Sequence, residues 1–159
     1  MKLIFSFGLI LLFTGSKAQD KSVQSLSVEL GKNGLIANII YDYQFSKSQF
    51  GFRVGAGTNF AKYLQARTIT AGGYKLFGKG KEFFELGIDI QYLHVIEASD
   101  DQRGIPTIYP DYSTKTLYPS LNIGYRKDSK KSMFRIGIAP GITNDGFLPG
   151  AYLSLGFKW

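Results

Sequence analysis

The sequence has no cysteine and a single histidine in 159 residues. It can therefore build no disulfide framework, no thiolate metal site and no cysteine-linked lipid anchor. Charge is also scarce, at 19% of residues, while aromatics reach 15%, a balance that excludes a disordered tail. No window after Gln19 sustains a helical period, and a mean hydropathy of -0.05 excludes a bundle of transmembrane helices. The length suggests one domain. What is abundant is glycine, with 19 residues, and alternation.

Met1 and Lys2 precede an apolar stretch of 11 residues, Leu3–Phe13, followed by Ser16-Lys17-Ala18 with small residues at alternate positions. A membrane-spanning helix needs about 20 apolar residues, so this stretch reads as a secretory signal peptide over 1–18, cleaved after Ala18. Cleavage removes Lys2 and Lys17 from a chain whose formal net charge is +7. The remaining domain spans 19–159 and is exported.

Period-two alternation predicts eight strands, at 23–30, 35–45, 50–60, 67–77, 83–93, 117–126, 133–142 and 151–159. In the second, Leu35, Ala37, Ile39, Tyr41, Tyr43 and Phe45 oppose Ile36, Asn38, Ile40, Asp42 and Gln44. In the fifth, Phe84, Leu86, Ile88, Ile90 and Tyr92 oppose Glu85, Gly87, Asp89, Gln91 and Leu93. The connections at 46–49, 78–82 and 127–132 are short and polar, as hairpin turns are, and Asn33-Gly34 adds a further hairpin signal. Those at 61–66, 94–116 and 143–150 are longer. Pro119 and Pro140 mark fraying or bulges near strand ends, because proline cannot donate to the ladder.

The more apolar face of these strands carries no charge. The opposite face carries Glu29, Asp42, Arg53, Arg67, Lys75, Glu85, Asp89, Arg126, Arg135 and Lys158. It also carries Gly51, Gly55, Gly57, Gly73, Gly87, Gly124, Gly137, Gly141 and Gly156. A solvated strand face has no use for so many glycines, each of which weakens the strand; the interior of a narrow barrel needs them beside long side chains. Tyr41, Tyr43, Phe45, Phe50, Phe52, Tyr74, Phe84, Tyr125, Phe134, Phe157 and Trp159 gather on the apolar face near the short turns, as an aromatic girdle would. The fold class is therefore all-β: an eight-stranded antiparallel up-and-down transmembrane barrel with a polar, charge-paired interior. In the fourth strand Ile69 and Ala71 fall on the charged face.

On this pattern the chain resembles the small eight-stranded outer-membrane barrels, the group of OmpA-type transmembrane domains and OmpX-type proteins. The resemblance covers 23–159 and is architectural. Its most local element is the ending Tyr152, Leu153, Leu155, Phe157 and Trp159, which resembles the terminal signal read by the outer-membrane assembly machinery, with Ser154 where glycine is common and tryptophan as the last residue. The resemblance implies a Gram-negative outer membrane, contact with its lipid and lipopolysaccharide, and short turns and termini in the periplasm; since the sequence ends at its barrel, no appended peptidoglycan-binding domain is expected.

Eight strands enclose a lumen that side chains can fill, so the interior charges read as a plug. Asp42 is expected opposite Arg53, and Lys75 opposite Glu85. A narrow gated pore is the alternative use of the same residues. A lipid-modifying barrel enzyme would need a nucleophile, a base and an orienting acid together, and His94 has no placed partner. A soluble exported barrel carrying an apolar ligand is the remaining alternative. The loop 94–116 holds Glu97, Asp100, Asp101, Arg103, Tyr109, Asp111 and Tyr112, candidates for external contact because binding residues concentrate on loops of rigid scaffolds. Asp100-Asp101 lacks the ligand count of a calcium loop. The expectation is a structural or surface-binding protein without catalysis, cofactor, metal or nucleic acid, whose external partner the sequence leaves unnamed.

Overall fold

The computed structural model describes residues 22–32, 36–45, 49–60, 64–97, 115–144 and 146–159. The expected signal segment 1–18 lies outside the described residues. So do Asp100, Asp101, Arg103, Tyr109, Asp111 and Tyr112 and the side chain of Glu97. The strands are β1 (Val23–Gly31), β2 (Ile36–Gln44), β3 (Phe50–Thr58), β4 (Leu64–Lys79), β5 (Glu82–Glu97), β6 (Lys115–Asp128), β7 (Ser132–Ile138), β8 (Gly141–Thr143), β9 (Gly146–Leu148) and β10 (Ala151–Lys158).

All neighbouring pairs are antiparallel, and β1 pairs with β10, from Ser25 opposite Lys158 to Gly31 opposite Tyr152. That pairing closes the sheet. The Trp159 amide donates to the Gln24 carbonyl at 3.0 Å and the Lys32 amide to the Ala151 carbonyl at 2.7 Å, sealing the seam at both ends. Closure leaves the backbone groups of the wall paired within the sheet, the condition for a sheet to exist without water around it.

The ten strands make eight crossings. Ile138 faces Ala151 and Gly141 faces Leu148, one unbroken register in which Pro140 stands opposite Pro149. Neither ring nitrogen can donate. The seventh crossing is therefore interrupted between β7 and β8, and the eighth between β9 and β10, at the same level. The Ala139 amide still reaches the Gly150 carbonyl at 2.7 Å, and the Leu121 amide reaches the Pro140 carbonyl at 2.9 Å. Pro119 sits inside β6 with no break, its side chain exposed on the outer surface.

The wall has two chemically opposite faces. Outside lie Val28, Ile39, Val54, Ile69, Ile88, Ile90, Ile136 and Leu155, all exposed. Around the short-turn end the rings cluster: Tyr43 stacks on Phe52 with centroids 5.3 Å apart and meets Phe45 edge-on at 5.4 Å, and Phe157 stacks on Trp159 at 6.3 Å.

β4 departs from the sequence reading. Its turn pairs Lys79 with Glu82 across Gly80-Lys81, with Gly80 at φ +81°, where the first position of a type II′ hairpin favours glycine. Lys75 consequently faces Leu86, and Glu85 faces Leu76. A shift of one residue turns every side chain to the other face. Thr68, Thr70, Tyr74 and Leu76 are buried inside, whereas Arg67, Ile69, Ala71 and Phe77 are exposed outside. Arg67 and Lys75 are thus not lumen charges, Tyr74 is not part of the girdle, and Gly73 faces out. Expecting both cations inside would have put Ile69 and Phe77 there, at the cost of apolar contact outside; the fold resolves that conflict the other way.

Candidate functional site in the barrel interior

The interior is built from alternate residues of every crossing. Arg53, Arg126 and Arg135 are 0% exposed, as are Glu29, Asp42, Glu85 and Asp89. Burying such groups is costly unless each is paired and hydrogen-bonded, and the structure pairs them across the lumen. Glu85 Oε1 accepts from Arg53 at 2.6 Å and from Arg135 at 2.8 Å, while its Oε2 lies 3.8 Å from Arg126. Asp42 accepts from the Tyr74 hydroxyl at 2.6 Å and from Arg126 at 3.4 Å. Asp42 and Arg53 are opposite in the ladder as expected, yet each also has partners from other strands. The network ties β1, β2, β3, β5, β6 and β7 together through their side chains.

Two further members lie beyond the strand ends read from the sequence. Lys32 follows Gly31 at φ +97° and itself takes φ +46°. These two left-handed residues fold the chain back so that the ammonium descends to Asp89 at 2.8 Å and Glu29 at 3.4 Å. Asp128 receives Arg126 Nε at 2.9 Å and Lys158 at 2.8 Å. The second was open to discovery, since Asp128 keeps the inward parity of Arg126 once the strand runs two residues further. Lys32 was not, because regular alternation places it outside.

With Arg67 and Lys75 removed and Lys32 and Asp128 added, five cations face five carboxylates among the described residues. Lys32, Arg53, Arg126, Arg135 and Lys158 stand against Glu29, Asp42, Glu85, Asp89 and Asp128.

Three tyrosines also pack inside the lumen, each over glycine. A Cβ on Gly51 would strike the ring of Tyr74, one on Gly124 or Gly137 the hydroxyl of Tyr152, and one on Gly141 the ring of Tyr118. Arg53 and Arg126 lie against the Tyr74 ring, 4.6 and 5.4 Å from its centroid, and Arg135 lies 5.1 Å from that of Tyr152. Towards the loop end the charged layer gives way to a buried apolar cluster of Ala66, Leu93, Val95 and Tyr118, with Leu148 packed against it. Towards the turns, Leu76 and Met133 are buried.

Outside the interior, His94 is half-buried on β5, opposite Arg67 and Lys115 in the neighbouring strands. That is a cationic setting without an adjacent nucleophile in the register. Among the described residues no group of three His, Cys, Asp or Glu side chains could hold a metal. At the terminal strand Tyr152 points inward and is buried, whereas Leu153, Leu155, Phe157 and Trp159 are exposed outside. On the turns, a hydrogen bond and the charge of Lys127, with Nζ 3.2 Å away, hold the Glu82 carboxyl below its usual range.

No family model matches the chain, and no curated protein is a recognisable relative. Among solved structures it is similar to the Yersinia pestis outer membrane protein Ail in a phospholipid bilayer nanodisc, with 12% identity and a TM-score of 0.48 over 87% of this chain and 100% of that one. It is also similar to neisserial surface protein A, with 12% identity and a TM-score of 0.48 over 86% of this chain and 92% of that one. Ail in complex with the heparin analogue sucrose octasulfate gives 10% identity and a TM-score of 0.48 over 87% and 97%.

Proposed function

We propose that this protein is a small outer-membrane β-barrel with a structural or surface-binding role and no catalysis, exported by residues 1–18. The observation that carries the reading is the inversion of the wall. Apolar side chains such as Ile88, 62% exposed, cover the outside, while Arg53 and Asp42 are fully enclosed. In water that distribution would place every apolar strand face in the wrong solvent; in a bilayer it is the stable one. The nine-residue strands β1, β2 and β3 match the roughly 9–11 tilted residues that cross a membrane core. A lumen filled by paired charges and tyrosines favours a plug over a pore. Among the described residues its lining of charges and polar groups speaks against a carried apolar ligand.

On this reading the barrel contacts outer-membrane lipid and lipopolysaccharide, and Tyr152, Leu153, Leu155, Phe157 and Trp159 are what the assembly machinery reads. The loop 94–116, with Glu97, Asp100, Asp101, Arg103, Tyr109, Asp111 and Tyr112, carries contact with an external partner. The test is electrophoresis of the outer-membrane fraction, boiled and unboiled. A heat-dependent change in mobility is expected of a closed membrane barrel, and a soluble periplasmic product without that change would overturn the proposal.

A further inference from the structure

Among the described residues most of the exposed charge lies at the short-turn end, with Arg67 and Lys115 at the other. Lys79, at the end of β4, and Lys81 flank the turn into β5, and Lys127, near the end of β6, Lys130 and Lys131 flank the turn into β7; all five are exposed. The two turns are physically joined, since the Asp128 amide donates to the Lys81 carbonyl at 2.7 Å. The second also touches the terminal strand, where the Lys158 amide donates to the Lys131 carbonyl at 3.0 Å. Among the described residues of these turns the one exposed acid is Glu82, and it is engaged by Lys127. Asp128 is turned inward.

Lys75 connects this cluster to the apolar wall. It sits on the outer face of β4 with its ammonium 4.8 Å from the centre of the Phe50 ring and 5.2 Å from that of Phe77. A long cationic side chain lying along aromatic surface, with its head directed to the edge of the apolar band, is the posture of a lysine at a membrane interface. The five turn lysines stand just beyond that edge, where lipid phosphates would lie.

Resting on the membrane-barrel reading, we infer that the short-turn end is a basic collar that binds the headgroups of anionic phospholipids in the adjoining leaflet. Clustered lysines beside a membrane surface draw anionic lipid to it, and the attraction fades within a Debye length as salt is raised. The collar would enrich anionic phospholipid around one end of the barrel and set its depth in the bilayer, with the aromatic girdle as the apolar stop.

Trp159, the sole tryptophan, is exposed at this same end and reports on its lipid neighbours. The full protein is purified from membranes in detergent and reconstituted into phosphatidylcholine vesicles containing, at equal mole fraction, either phosphatidylglycerol or phosphatidylcholine brominated near the headgroup. Quenching of Trp159 by the brominated phosphatidylglycerol is expected to exceed that by the phosphatidylcholine by about twofold or more at low salt. The difference should vanish in high salt and in the variant K79Q/K81Q/K130Q/K131Q. Equal quenching by both lipids in a barrel that still shows heat-dependent mobility would overturn the collar and leave the barrel reading intact. A preference that survives the four substitutions, or one for lipopolysaccharide over phosphatidylglycerol, would overturn it equally. Loss of the mobility change in both vesicle types would overturn the membrane reading on which it rests.

Discussion

Glu85 is the residue through which the interior network is most sharply tested. One of its oxygens serves two guanidinium groups, at 2.6 Å from Arg53 and 2.8 Å from Arg135, and its other lies 3.8 Å from Arg126. Glu85→Gln keeps the shape and an acceptor oxygen but removes the charge. Hydrogen bonds to an ionised partner are roughly twice as strong as neutral ones, so two such bonds weaken together. One cation is also left without a counter-charge in an enclosed lumen. Breaking a buried pair costs about 3–5 kcal/mol, and that loss is expected in urea unfolding of the protein folded into lipid vesicles, followed by the mobility shift and Trp159 fluorescence. The double variant Glu85→Gln with Arg135→Met removes a charge of each sign. It should recover about 2 kcal/mol relative to the sum of the single changes, the coupling typical of contacting residues. A Glu85→Gln barrel within about 1 kcal/mol of the parent, or strictly additive changes, would refute the pairing.

The facing of the wall makes further demands. Ile88→Arg, on the outer surface, should lower stability by about 2–4 kcal/mol at mid-membrane depth and impair assembly, measured as the folded fraction in outer membranes; normal assembly of both Ile88→Arg and Gly87→Arg would contradict the facing. Ile69→Arg should do the same if β4 is phased as described, and its normal assembly would restore the phase read from the sequence. Tyr74→Phe removes the hydroxyl that donates to Asp42 at 2.6 Å and should cost about 1.5–3 kcal/mol in the same urea titration; an unchanged midpoint would place that ring on the lipid face.

The strand count, the antiparallel order and the inside-out facing are legible in the sequence because most crossings put charge and bulky apolar groups on opposite parities. β5 shows this most plainly: Glu85, Asp89 and Gln91 can only share a face that Leu86, Ile88 and Ile90 do not. β4 lacks the contrast. Thr-Ile-Thr-Ala-Gly-Gly-Tyr offers two faces of similar bulk, and its flanking cations Arg67 and Lys75 pull the reading towards a charged lumen. What settles the phase is Tyr74, whose ring needs the space above Gly51 and whose hydroxyl needs Asp42. Both partners lie on other strands, at a distance along the chain that alternation does not cover. The proline break is a milder case. Pro140 is visible as a ladder fault, but its place opposite Pro149 appears only once the register of the last hairpin is known. Whatever the loop 94–116 binds stays outside this logic, since loop residues answer to partners and not to parity.

The corrected membership of the interior bears on what the barrel can do. Six cations against four carboxylates, as alternation alone counts them, would leave two positive charges to be neutralised by ions, and a lumen that must hold exchangeable counter-ions is close to a selectivity site. Five against five, the balance among the described residues, needs none. The charges that balance it are the two beyond the strand ends read from the sequence: Lys32, bent inward by consecutive left-handed residues, and Asp128, carried inward by two further residues of β6. Above this neutral layer sits the apolar cluster of Ala66, Leu93, Val95 and Tyr118, which would have to be wetted before an ion reached the charges below. An ion crossing would then have to part the Arg53, Arg135 and Glu85 contacts, each at zero exposure and each costly to leave unpaired. The interior therefore favours rigidity over passage, and on the reading proposed above interaction with other molecules falls to the loop 94–116 and to the lysine collar.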